Sequence, residues 1–184
     1  SVKPPQPDGL WFAVGYSGSN TVRFKKDDGR DKVHRRTLYT FIKRTAPPPQ
    51  MSTFDAPSRE ACVVRRERTN SPLQALLLMN DPQYVECARG LAERSFDEAD
   101  PTPPARARWM LRQAVLREPS AAEVQGLVAD YEANLADYRA DPGAAQRLLQ
   151  VGETQPRGDV AMEELAAWTM VGNLILNLDE VINK

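Results

Sequence analysis

The densest polar chemistry in the chain is Arg59-Glu60 followed by Arg65-Arg66-Glu67-Arg68-Thr69-Asn70, which runs directly into a helix start at Ser71. Guanidinium groups grip carboxylate, sulfate or phosphate bidentately, and a helix N-terminus adds free N–H groups and a positive dipole end. Arg59, Arg65, Arg66, Arg68 and Asn70 are therefore an anion-binding set. The same arginines can instead pair with the chain's own acids, Asp55, Glu60, Asp81 or Glu86, and acids interleaved in the same stretch favour that reading. Two carboxylates can do hydrolytic work without histidine, which makes Asp55 and Glu60 the catalytic candidates. Against this, Asp55 sits in the proline-bearing word Phe54-Asp55-Ala56-Pro57, where a turn or ion-pair role is the stronger reading. A third constellation is Trp168 with Thr169, Asn173 and Asn177, the last three spaced by four on one stripe of an apolar helix. That stripe can line a polar groove for a ligand or bond to neighbouring backbone, and buried amides usually do the second.

Several chemistries have no material here. There is no Gly-x-Ser-x-Gly elbow, no phosphate-cradling glycine loop and no His-Glu-x-x-His, and the single histidine, His34, has no nearby Ser or Cys to activate. One histidine and two cysteines 25 apart give no zinc pair and no Cys-x-x-Cys-His haem attachment, so no metal site and no cofactor is expected in this chain. Cys62 and Cys87 are expected to be buried thiols, with a disulfide as the alternative in an oxidising compartment. Nucleic acid is not an expected partner, because the pI is about 5.9 and His34-Arg35-Arg36 with Lys43-Arg44 is one basic stripe without a binding motif. No apolar run of membrane-spanning length is present.

The elements that must position these residues fall into two regimes. Residues 1–70 are rich in Pro and Gly and show little periodicity, so they read as irregular, extended chain. Leu38, Phe41 and Ile42 favour one short helix within residues 35–44, although Thr37 to Ile42 also suits a strand. From residue 71 the pattern is helical almost throughout, with about six helices. Ser71-Pro72-Leu73-Gln74 is a capping box with proline at the first helical position, and residues 73–79 read as fully buried. Asp81-Pro82 opens a helix with Val85, Ala88, Leu91 and Ala92 on one face. A further helix carries Ala107, Leu111, Ala114 and Val115. Ser120 and Glu123 box the start of the strongest amphipathic stripe, Val124, Leu127, Val128, Tyr131, Leu135 and Tyr138. Asp141-Pro142 starts a short helix bearing Leu148 and Leu149, and Asp159 is placed to cap the last one.

The fold class is therefore mainly α, with a proline-rich basic N-terminal segment. The formal net charge of −1 hides an asymmetry: residues 1–70 carry 14 basic against 7 acidic side chains, and residues 71–184 carry 10 against 18. This suits a basic clasp over residues 1–70 lying on an acidic helical body over 71–184, the two forming one domain.

Three long words carry a family resemblance. They are Arg35-Arg36-Thr37-Leu38-Tyr39-Thr40-Phe41-Ile42-Lys43-Arg44-Thr45-Ala46-Pro47-Pro48-Pro49, Phe54-Asp55-Ala56-Pro57-Ser58-Arg59-Glu60, and Val64-Arg65-Arg66-Glu67-Arg68-Thr69-Asn70-Ser71-Pro72-Leu73-Gln74-Ala75-Leu76. With them the chain resembles the planctomycete C-terminal domain of unknown function, planctomycete-specific domain one, which accompanies a planctomycete cytochrome c domain. The opening and closing residues also look like that family. The resemblance implies the C-terminal part of a large exported protein, extracytoplasmic at the periplasm or cell surface, whose genes lie near those for sulfatases and polysaccharide-degrading enzymes. Haem would belong to a segment outside this chain. The function expected is a non-catalytic structural or interaction domain with an arginine-rich, anion-capable surface, whose partners are other domains of the parent protein. The alternative is part of an enzyme or binding protein acting on sulfated or acidic polysaccharide, with Asp55 or Glu60 working among the arginines.

Overall fold

The computed structural model describes residues 1–184 apart from 7, 16–17, 19–24, 44–45, 66–67 and 184, and describes Arg30 by its backbone. The protein is mainly helical, with isolated bridge pairs in place of a sheet among the described residues. It divides into two compact units, Ser1–Gln74 and Ala75–Lys184.

The first unit contains α1 (Leu10–Val14), α2 (Arg30–Val33), a 3₁₀ turn (Thr37–Tyr39), α3 (Pro49–Thr53) and the first residues of α4 (Pro72–Asn80). Its helices are short because Pro and Gly interrupt every periodic run. A small core of Trp11, Val14, Val33 and Met51 holds it, with Trp11 Nε1 donating to the Pro4 carbonyl at 2.8 Å. Trp11 also tilts against Phe41, with ring centroids 6.4 Å apart. The chain around Thr40 lies beside Val2, whose N–H donates to Tyr39 O at 2.7 Å and whose carbonyl accepts from Phe41 N at 2.8 Å. The helix favoured for residues 35–44 is thus reduced to one 3₁₀ turn followed by extended chain. Leu38 and Tyr39 point into water, so the i, i+3, i+4 pattern has no apolar face to bury.

The second unit is built on α5 (Pro82–Glu98), α6 (Pro103–Val115), α7 (Ala121–Ala140), α8 (Pro142–Leu149), α9 (Met162–Leu176) and the short α10 (Asp179–Ile182). Local chemistry sets the starts. Ser120 and Glu123 make both bonds of a capping box, and the Asp81, Thr102 and Asp141 side chains each accept an N–H of the helix that follows, with proline at the first turn. The rod α9 is central, burying Leu165, Ala166, Ala167, Trp168, Val171 and Ile175 among residues of α5, α6, α7 and α8. Tyr131 of α7 stacks on Trp168 at 4.3 Å between centroids. Where α9 crosses α5, a Cβ at Gly172 would stand 2.7 Å from the Ala88 carbonyl oxygen, so the crossing needs glycine.

Three expectations are corrected. Residues 73–79 are not fully buried: Gln74 and Leu78 are, but Leu73, Leu76 and Met79 are 60%, 58% and 54% exposed. A nine-residue helix that is apolar on nearly every side covers one stripe and leaves the other in water. Asp159 does not cap α9, whose N-cap is Ala161 without a side-chain bond. The Arg157 guanidinium takes both Asp159 oxygens, at 2.7 and 2.6 Å, and holds that carboxyl down at about 2. Cys62 and Cys87 are free and exposed rather than buried. Cys62 lies in the loop between α3 and α4, and Cys87 lies on α5 next to the buried Glu86.

Candidate functional site

Asp55 and Thr69 are brought together by the chain reversal between α3 and α4. One Asp55 carboxylate oxygen accepts both the Thr69 N–H and the Thr69 hydroxyl, each at 2.8 Å. Gln74 extends this latch, donating from Nε2 to the Thr53 carbonyl at 2.8 Å and to the Thr69 hydroxyl oxygen at 3.0 Å. Its own oxygen accepts the Ser71 N–H at 2.9 Å while Ser71 Oγ accepts the Gln74 N–H at 3.3 Å, so the expected capping box forms. Asp55 also stands at φ 56°, a left-handed position that suits aspartate. The carboxylate proposed for catalysis thus holds a loop base.

From that base the loop runs outward. Arg59, Glu60, Arg65, Arg68 and Asn70 are all exposed, and Arg66 lies outside the described residues. Arg59, Arg65 and Arg68 lie exposed along one loop, an arrangement suited to a surface contact with an anion.

The Trp168 stripe serves the backbone. Thr169 Oγ1 donates to Leu165 O at 2.8 Å within α9. Asn173 Nδ2 donates to the Leu78 carbonyl at 3.1 Å, and Asn177 Nδ2 to the Ala75 carbonyl at 3.3 Å. The first bond has a clear cause: four residues after Leu78 stands Pro82, which has no N–H to give, so the Leu78 carbonyl must find another donor. Asn173→Leu is expected to lower unfolding free energy by about 1–3 kcal/mol by leaving that buried carbonyl unpaired. Asn134→Ala, removing an exposed bond from Asn134 to Asp130 O, should change it by less than ~0.5 kcal/mol in the same denaturation series. Equal effects would refute the assignment.

The largest buried polar assembly is one that the motifs did not point to. On α5, Glu86, Arg89, Glu93 and Asp97 share a stripe facing the chain between α8 and α9. Arg89, 2% exposed, donates to the carbonyls of Leu149, of Val151 at 3.0 Å and of Thr154 at 2.6 Å, and to Thr154 Oγ1 at 2.9 Å. Glu86 accepts the Glu153 and Thr154 N–H groups, each at 2.9 Å, and the Thr154 hydroxyl. Gly152, at φ 102°, lets the loop pass against Glu86, since any Cβ there would collide with its carboxylate. Glu93 and Asp97 receive Arg157, whose guanidinium also faces the Phe96 ring at 5.6 Å. The available signal was positional: Arg89 lies between Val85 and Ala92 on the apolar face, where a charge requires partners.

A second ion cluster is exposed. Arg117 holds Glu123 at 2.6 Å and Glu180 at 2.8 Å, tying the start of α7 to α10. Bonding to Arg117 and then to Ser120 holds the Glu123 carboxyl down at about 2. Among the described residues no group of His, Cys, Asp and Glu is placed to hold a metal ion, and no helix is long and apolar enough to cross a membrane.

No curated protein and no solved structure matches this chain. Residues 1–131, running from the first unit through α5 and α6 into α7, match the family PSD1, described as a protein of unknown function (DUF1553), and the protein belongs to that family.

Proposed function

We propose that this domain is a non-catalytic structural and interaction module that meets an anionic partner through the exposed arginines of its first unit. The observation that supports this most directly is the use made of its carboxylates. Asp55 accepts Thr69 at the loop base, and Glu86 accepts main-chain N–H groups around Thr154, so the best-placed acids are engaged in holding chain together. Arg59 and Arg65, exposed on the same loop, suit carboxylate, sulfate or phosphate on a partner. An exported, multidomain setting, with other domains of the parent protein as partners, rests on the family resemblance.

Thermal melts against neutral, carboxylated and sulfated polysaccharide test this at low salt and at about 0.5 M, where screening shortens to a few ångströms. The anionic glycans should raise Tm at low salt alone, and Asp55→Ala should lower unfolding free energy by about 1 kcal/mol without any turnover to lose. A rise confined to one glycan class that persists in high salt, together with turnover that Asp55→Asn abolishes at unchanged Tm, would replace this reading with a carbohydrate-processing one.

A further inference from the structure

The chain between α3 and α4 is secured at both ends and held by very little in between. At its start, Phe54 N donates to Gln50 O at 3.1 Å and Ala56 N to Met51 O at 2.8 Å, which closes α3. At its end, the Ser71 and Gln74 box starts α4. The bonds from Thr69 to Asp55 and from Gln74 to the Thr53 carbonyl then tie one end to the other. Every described residue from 57 to 68 is exposed, with Val63 at 54% and Val64 at 105%. Among the described residues of 57–65, the one hydrogen bond made by a main-chain group is Glu60 N to Ser58 Oγ at 3.4 Å. The chain bends at 59–61 and at 64–65, and Arg59 stands at φ 63°. Straightening those bends therefore breaks one long hydrogen bond and uncovers no core.

An endopeptidase takes its substrate as an open run of chain, so the segment it cuts first is the one cheapest to open. Exposed side chains are not sufficient for this. Leu73, Leu76 and Met79 face water, but their main chain is helical. Other exposed basic residues of the first unit are tied nearby. Lys26 pairs with Asp28, and beside it Asp27 N donates to Lys3 O at 2.8 Å. Arg35 Nε donates to Asp31 O at 2.8 Å, and Arg36 O accepts Tyr39 N at 2.9 Å. In the second unit Arg117 and Arg157 lie between helices, and each is held by two carboxylates. Arg59 and Arg65 have no such restraint, since they sit in the stretch that the main chain leaves unbonded.

We infer that residues 58–65 are a proteolytic processing site, at which an arginine-directed endopeptidase makes the first cut in this chain without unfolding either end. The step is hydrolysis: water adds across one peptide bond, leaving a carboxylate on the arginine and an amine on the residue that follows. Because α3 and α4 are each closed by their own bonds, the cut removes none of them. The inference goes beyond the anion-contact reading and does not depend on it, since cleavage needs an open chain and not an anion.

Limited digestion of the full chain, with the products weighed by mass spectrometry, tests this. Trypsin should cut first after an arginine of this loop, and thermolysin, which cuts before apolar residues, should cut first at Val63 or Val64. The fragment that begins in the loop and ends at residue 184 should then persist, and the helical circular dichroism of the nicked chain should be unchanged. Val63→Asp with Val64→Asp should slow the thermolysin cut about tenfold or more and leave the trypsin cut as it was. A first cut outside the loop by either enzyme overturns the inference. So does a nicked chain that loses its helical signal or is digested onward at the rate of the first cut, because the site would then belong to an unfolded chain.

Discussion

Arg89→Met should remove about 3–5 kcal/mol of unfolding free energy, the loss typical of breaking a buried charge network from one side. Methionine fills most of the arginine's volume, so cavity formation contributes little and the loss is one of bonding. The carbonyls of Leu149, Val151 and Thr154 lose their shared donor, and Glu86 and Glu93 are left beside one another without their cation, 3.8 and 3.7 Å from where its nitrogens stood. Domains of this kind have roughly 5–15 kcal/mol in total, so the variant should show a broadened, early denaturant transition. Arg94→Met is the control on the same helix. It breaks the exposed Arg94–Glu98 pair and should change stability by less than ~1 kcal/mol. If the two variants unfold together, Arg89 does not hold the loop.

Glycine-to-alanine changes at two helix positions should have opposite signs. At Gly126, in the second turn of α7, an added Cβ meets nothing within 4 Å. Alanine there restricts the unfolded chain and favours helix, a gain of about 0.5–1 kcal/mol that should raise Tm by about 2–4 °C. At Gly172 the same methyl group lies 2.7 Å from Ala88 O, 3.3 Å from its carbonyl carbon and 3.4 Å from its Cα. These are backbone atoms of a packed helix and cannot swing aside. The helix-propensity gain of about 1 kcal/mol is outweighed once α9 must move off α5, and overpacking of up to ~3 kcal/mol leaves a net loss of about 1–2 kcal/mol. Thermal unfolding of both variants decides it, and a stabilised Gly172→Ala would show that the crossing is looser than described.

What the sequence disclosed was local. Ser71 with Gln74, Ser120 with Glu123, and the Asp-Pro starts at Asp81 and Asp141 are interactions across two or three residues, and each helix begins where those pairs put it. What stayed hidden depends on distant partners. Asp159 looked like a cap, but Arg157 holds it more strongly than the backbone can. The apolar run of α4 looked buried because composition says nothing of how many sides a helix has covered. In the first unit, Asp55 was read as a turn residue as well as an acid, and its bond to Thr69 spans 14 residues. Glu86 and Arg89 were invisible as a site because their partners are main-chain atoms 60–68 positions further on, which no side-chain motif can announce.

That separation sets a clock for biosynthesis. The stripe of α5 leaves the ribosome well before residues 149–154 exist, and at about 5–20 residues per second the interval is roughly 3–14 s. Through that interval Glu86 and Arg89 have no loop to bond, and the face of α5 that receives Gly172 is bare. A nascent chain stopped at residue 131, where the family match ends, holds α5 and α6 but neither of these closures. The stretch that matches the family and the length of chain that closes over α5 are therefore different. Slow codons between residues 131 and 154 would prolong the exposed state, which makes yield sensitive to translation speed across that stretch.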